Sequence, residues 1–196
     1  MWRVIAEPPP LGEPTVKLPA LAAWACVFSL VLLFATPSLA QLRDERAVKV
    51  AFVFNLTKYV EWPQANNELV IGFVGDAPMG ETLEKMLAGK TSQSRPIHVL
   101  LSPSDEQLTQ CDVVYIADSS PKEILAALNK VRNKNILTVG DSDAFAREGG
   151  MVGLVTVGEQ IQIQVNLQAA QDSRLKISSR LLNLSTIVRS APGARN

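Results

Sequence analysis

The chain reads as an α/β protein: a single-domain sandwich with a mostly parallel sheet, helices on both faces, and a C-terminal β-hairpin plus helix. Three observations predict this class. From residue 68 onward, short apolar runs alternate with stretches of helical period, the pattern of strands joined by crossover helices. After residue 150 the period changes to two, most clearly in Gln160-Ile161-Gln162-Ile163-Gln164-Val165-Asn166-Leu167, which describes a strand with one wet face. No repeat or linker interrupts residues 41–189, so they are expected to form one domain.

The first 40 residues are set apart from that domain. Leu18 to Ala35 is uncharged and mostly apolar, with Lys17 before it and Thr36-Pro37-Ser38-Leu39-Ala40 after it. A basic flank, a short apolar core and a small-x-Ala end make a secretory signal peptide. The core is short for a bilayer span of about 20 residues. Cleavage is expected after Ala40, with an uncleaved anchor as the alternative. Residues 1–16 are long for the flank of a signal, and Val16 could itself be the start. Either way the domain faces away from the cytoplasm, and the expected compartment is the periplasm.

The segment 1–40 holds two of the 19 basic and two of the 19 acidic residues, leaving 17 of each. Such balance leaves no footprint for nucleic acid or an anionic membrane. Cys26 leaves with the signal, so Cys111 is alone and no internal disulfide can form. A lone thiol in an oxidising compartment is best buried, and Cys111 precedes an apolar strand.

Taken in order, Arg43–Val60 is expected as a helix, charged in its first half and apolar nearly all round in its second. Pro63 disfavours helical geometry at Trp62 and ends it. Glu68–Val74 is the first strand, with Gly75-Asp76 as its turn. Met79–Ala88 is a helix with Met79, Leu83, Met86 and Leu87 on one side and Gly89 as its stop. Pro96–Leu101 and Asp112–Ala117 are strands. Ser120, Pro121 and Glu123 supply an N-cap, a first-turn proline and a capping box for a helix over Pro121–Val131. Ile136–Val139 is a strand and Asp143–Arg147 a short helix closed by Gly149-Gly150. Met151–Val157 and Gln160–Gln168 flank Gly158-Glu159 as a hairpin. Ser178 caps a last helix reaching Arg189, with Leu181, Leu184 and Val188 buried. Residues 190–196 form a flexible tail.

The chemistry-bearing residues are few. Asp76, Asp118 and Asp141 each follow a strand, where open α/β sheets bind ligands. Clustered carboxylates there could hold a cation, although Asp is also a common turn and cap residue. His98 is the only histidine and sits in a strand. No phosphate-binding glycine loop or nucleophile elbow is present. One Cys and one His give no zinc site. No enzyme activity, cofactor or metal is therefore expected. Tyr59 and Trp62-Pro63 gather aromatic surface at a helix end, either as core or as a partner anchor. Arg174-Leu175-Lys176 is a basic loop.

Three segments together resemble the YfiR/HmsC-like family of periplasmic regulators: AFVFNLTKYVEWP (51–63), DSDAFAREGGMVGLV (141–155) and VNLQAAQDSRLKISSRLLNLSTIV (165–188). The resemblance implies a non-enzymatic protein that restrains an inner-membrane diguanylate cyclase by binding its periplasmic sensor domain, lowering cyclic di-GMP and biofilm formation. Tyr59, Trp62, Phe145, Arg174 and Lys176 are the expected contact residues, and a homodimer is possible. Some members carry several cysteines and tune activity through disulfides, which Cys111 alone cannot do. The rival expectation is a periplasmic small-ligand module with its pocket at Asp76, Asp118 and Asp141.

Overall fold

The computed structural model describes residues 39–64, 66–117 and 119–191. The expected signal peptide therefore lies almost wholly outside the described residues, as do Asp118 and residues 192–196. Among the described residues no helix is long and apolar enough to cross a membrane.

The elements follow in the order α1 (Leu39–Leu56), β1 (Val60–Glu61), β2 (Leu69–Val74), α2 (Ala77–Leu87), β3 (Thr91–Ser92), β4 (Arg95–Leu101), α3 (Asp105–Leu108), β5 (Val113–Ile116), α4 (Pro121–Val131), β6 (Leu137–Gly140), β7 (Val152–Val157), β8 (Gln160–Val165), α5 (Leu167–Asp172), β9 (Lys176–Ile177), α6 (Ser179–Asn183) and β10 (Thr186–Ile187). Eight strands form one sheet in the order β10-β8-β7-β6-β5-β2-β4-β3, and β1 pairs with β9 in a separate two-stranded ribbon. Strands β4, β2, β5, β6 and β7 run parallel. The β7–β8 hairpin is antiparallel, as the alternating glutamines predict.

The connections reverse direction at the centre of the sheet. From β2 the chain crosses through α2 to β4 on one side. From β4 it returns past β2 to β5, and through α4 to β6 on the other side. Right-handed crossovers in opposite directions place α2 and α4 on opposite faces. The alternation along β5 records this: Val113 and Tyr115 join the core under α1 and α2, whereas Val114 and Ile116 join the core under α4. The crevice outside the carboxyl ends of β2 and β5 is thus the topological switch point of the sheet.

Helix α4 begins and ends where its capping box and proline predict. Elsewhere tertiary contacts shift the expected boundaries. Helix α1 stops at Leu56 rather than Val60 because the next turn is claimed from outside: Thr57 Oγ1 donates to Ser92 Oγ at 2.7 Å, and Gln93 Nε2 donates to the carbonyls of Thr57 and Val60. Gln93 and Ser94, at φ 51° and 65°, form the left-handed two-residue turn of the β3–β4 hairpin. The sequence does not announce that turn, since it lacks the usual Asn or Gly.

Asp143–Arg147 forms successive turns rather than a regular helix, closed by Gly149 at φ 106° as its position before a strand requires. Strand β8 stops at Val165, and Asn166 starts the short helix α5 by accepting from Ala169 N. The last helix is five residues long and does not reach Arg189. Ser185 and the β-branched Thr186-Ile187-Val188 leave it to pair with the otherwise open edge of β8. Leu184, expected in the core, is consequently 75% exposed, while Leu181 is buried. The start of the expected tail is held: Ser190 Oγ accepts from Asn166 Nδ2, and Ala191 N donates to Arg147 O.

Candidate functional site

The two ends of the sheet each collect residues singled out by the sequence. At the amino end, β1 and β9 bring together positions from opposite ends of the domain, with Val60 opposite Ile177 and Glu61 opposite Lys176. Ser178 N donates to Tyr59 O and extends the ribbon by one bond. Tyr59, Trp62, Arg174 and Lys176 are therefore neighbours on or beside one ribbon. Tyr59 and Trp62 are half-buried, and Arg174 and Lys176 are exposed. Arg174 has φ 56°, a turn that directs the chain from α5 into β9.

Trp62 also takes the core role that its sequence reading allowed, through partners the sequence did not reveal. Beneath it, Arg95 and Asp112 form a buried ion pair at 2.8 Å, with side chains 7% and 5% exposed. Trp62 Nε1 donates to Asp112 O at 3.2 Å, and the Arg95 guanidinium lies 5.8 Å from the indole centroid. Asp112 Oδ2 accepts from Val70 N, and Arg95 Nη2 donates to Glu68 O. Core anchor and surface aromatic are thus one side chain, since Trp62 is only partly buried.

Phe145 does not share this surface. It is fully buried, and its ring occupies space that a Cβ at Gly140 or Gly150 would enter at 2.2 Å. It follows the carboxyl end of β6, at the opposite pole of the sheet. The Gly149-Gly150 signature is explained by this ring and by the positive φ of Gly149. Asn166, another signature residue, is buried and ties α5 to Ala146 O and Ser190. His98 is exposed on β4.

At the carboxyl end, Asp76 and Asp141 converge on one cavity of about 340 Å³ at the switch point. Helix α1 lines its mouth with Glu45, Arg46 and, one turn on, Lys49. Lys49 Nζ lies 3.0 Å from Glu45 and 3.2 Å from Asp141, and Arg46 lies 3.8 Å from Asp76. Glu45 also accepts from Thr156 Oγ1. Its hydrogen bond with Lys49, then that with Thr156, holds the carboxyl below its ordinary value. Burial alone would lower Lys49, but the hydrogen bond to Glu45 and the charge of Asp141 outweigh it and raise the pKa. The Tyr115 phenol, fully buried, is pushed above its ordinary value first by burial, then by the charge of Asp141 and its hydrogen bond to that carboxylate, and last by the charges of Asp76 and Glu45. Glu45, Arg46, Lys49 and Tyr115 were not among the residues the sequence singled out. The i, i+4 spacing of Glu45 and Lys49 was visible, but their partner across the sheet was not. Among the described residues no group of three or more His, Cys, Asp or Glu could hold a metal ion.

Cys111 is buried and unpaired; its Sγ donates to Gln107 O at 3.2 Å. Burial, followed by the negative charge of Asp112, pushes the thiol up to about 11. It is therefore protonated, and a poor nucleophile, at neutral pH.

A parallel sheet covered on both faces, with charged residues gathered at both ends of its strands, defines a doubly wound α/β domain. The chain belongs to the YfiR/HmsC-like family, whose model matches residues 46–186. That family is one of periplasmic regulators of diguanylate cyclase signalling. No curated protein matches the chain. Among solved structures it is similar to an ABC domain in complex with L-Trp from Streptococcus pneumonia, at 10% identity and a TM-score of 0.48, covering 73% of this chain and 60% of that one. That likeness is too distant to bear on ligand or partner.

Proposed function

We propose that the protein is a periplasmic regulator that restrains an inner-membrane diguanylate cyclase by docking on its periplasmic sensor domain. Family membership supports the regulatory class. The observation that carries the docking surface is the β1–β9 ribbon, which gathers Tyr59, Trp62, Arg174 and Lys176 at the amino end of the sheet. An indole and a phenol offer rigid contact area at low entropic cost, and the two cations beside them supply orientation. Phe145 has no part in this surface, because its ring is buried. Restraint would arise from tighter binding to the receptor state whose cytoplasmic output is off. The reading calls for no catalytic group and no cofactor.

The test is cellular cyclic di-GMP with the gene deleted and then restored. A rise on deletion, reversed by the exported form and not by a form lacking residues 1–40, supports the reading. Restoration by a chain carrying both Arg174→Ala and Lys176→Ala would remove the ribbon from it.

A further inference from the structure

A cavity of about 460 Å³ opens between the end of α4 and α5, at the amino end of the sheet. Part of its lining is apolar: Leu128 and Val131 of α4, Met151 before β7 and Ala169 of α5. Three hydroxyls join them, from Thr138 of β6, Ser173 after α5, and Ser190. Thr138 and Ser173 are only 2% and 3% exposed. The Ser173 hydroxyl forms no hydrogen bond among the described residues; only its backbone N–H is engaged, donating to Ala169 O. Protein does not wall that oxygen off, so the cavity is the space it faces. Thr138 Oγ1 accepts from Met151 N, and Ser190 Oγ accepts from Asn166 Nδ2. Neither of these hydroxyls donates to another described residue. A hydroxyl carries one donor besides its lone pairs, and buried polar groups are ordinarily paired. Three hydroxyl hydrogens thus border one cavity without an acceptor.

What they lack is a lone pair, so the partner is a molecule that presents an acceptor oxygen. Its charge follows from the rest of the lining. Arg132 and Asp172 cancel one another. The cavity also borders the last turn of α4, the negative end of that helix dipole, which disfavours an anion. An ammonium group would bring further donors to hydroxyls that need acceptors. An ion of either sign would give up its hydration without meeting a net counter-charge. A neutral carbonyl oxygen supplies the acceptor, and an apolar body matches Leu128, Val131 and Met151. Sites for small molecules have this build: concave, largely apolar, with a few polar groups, and roughly 300–1,000 Å³ in volume.

We propose that this cavity binds a small neutral carbonyl compound, a ketone or an ester, whose carbonyl oxygen accepts from the Ser173 and Thr138 hydroxyls while its apolar body packs on the α4 wall. The site is separate from the switch-point cavity and does not depend on the receptor reading.

Titration of the purified protein with acetophenone, followed by its amide NMR shifts, tests it. Benzylamine and benzoate serve as cationic and anionic counterparts of similar size. The expected result is saturable shifts centred on Gly149, Met151 and Ser173, with the amine and the carboxylate at least about ten-fold weaker. Ser173→Ala is the deciding variant. The hydroxyl it removes bonds nothing in the described chain, so the melting temperature is expected to hold. Acetophenone affinity is expected to fall about three- to ten-fold, the effect of one hydrogen bond. Thr138→Val would also strip Met151 N of its acceptor, so it does not isolate binding from folding. Absence of saturable binding at millimolar acetophenone, shifts centred away from the cavity, equal binding of either ion, or unchanged affinity in a folded Ser173→Ala protein would each overturn the proposal.

Discussion

At the amino end of the sheet Arg95 and Asp112 lie 2.8 Å apart beneath the Trp62 indole; at the carboxyl end Lys49 and Asp141 lie 3.2 Å apart on the wall of a cavity. Both pairs cross between elements and both hold the core shut. They differ in what lies over them. The first is sealed by a side chain of the same molecule and further tied to Val70 N and Glu68 O. The second is bordered by open space, the cavity at the switch point. The same chemistry is thus structural where protein covers it and available where it does not.

That contrast can be broken most forcibly at the sealed pair. Asp112→Ala leaves Arg95 buried without its counter-ion and is expected to cost about 3–5 kcal/mol in urea unfolding. Overpacking at the other pole is the next largest effect. Gly150→Ala places a Cβ against the Phe145 ring and is expected to cost about 1–3 kcal/mol. Trp62→Phe keeps most of the cover and loses the bond to Asp112 O, a cost of about 0.5–1.5 kcal/mol. If receptor binding falls further than that loss accounts for, the indole acts at the interface as well as in the fold. Arg174→Ala is expected to change stability by no more than about 0.5 kcal/mol, since the side chain is exposed. Receptor affinity measured on the same sample should drop if the ribbon is the docking surface.

The open pair should show its nature in the pH dependence of unfolding. Glu45 is held below its ordinary 4.5 in the folded chain, so its contribution is present above 4.5 and is lost as pH falls through the lower folded value. Lys49 is raised above 10.5, so its contribution is complete below 10.5 and is lost only as pH rises through the higher folded value. Lys49→Met should therefore flatten the acid limb of the stability profile, because Glu45 loses the partner that depresses it.

How much of this was legible beforehand divides along the same line. Signals carried by neighbouring residues were readable: the capping box of α4, the alternating glutamines of β8, the closing role of Gly149. The meeting of Tyr59 with Ser178, and so of the aromatic turn with the basic loop, needed a long-range pairing that no local period encodes. Phe145 was misplaced because an aromatic in a polar, glycine-flanked turn looks exposed; only the missing Cβ atoms of Gly140 and Gly150 show the slot that receives it. The last helix was overextended because Leu181, Leu184 and Val188 fit a helical stripe. The unpaired edge of β8 competes for Thr186-Ile187 and wins. The sequence placed Asp76 and Asp141 after strand ends without showing whether they meet, and it did not single out the cations of α1 that face them.

The β1–β9 register has a consequence for how the protein comes into being. Glu61 waits for Lys176, and Val60 for Ile177, across nearly the whole length of the domain. If the chain is exported as proposed, amino end first, the aromatic half of the ribbon emerges early and has no strand to pair with until the rest has followed. Closing so long a loop is slow relative to local folding. A stalled or truncated chain can build α2, β4 and α4, yet it presents no finished ribbon. The surface proposed to meet a partner is in this sense a proof of complete delivery.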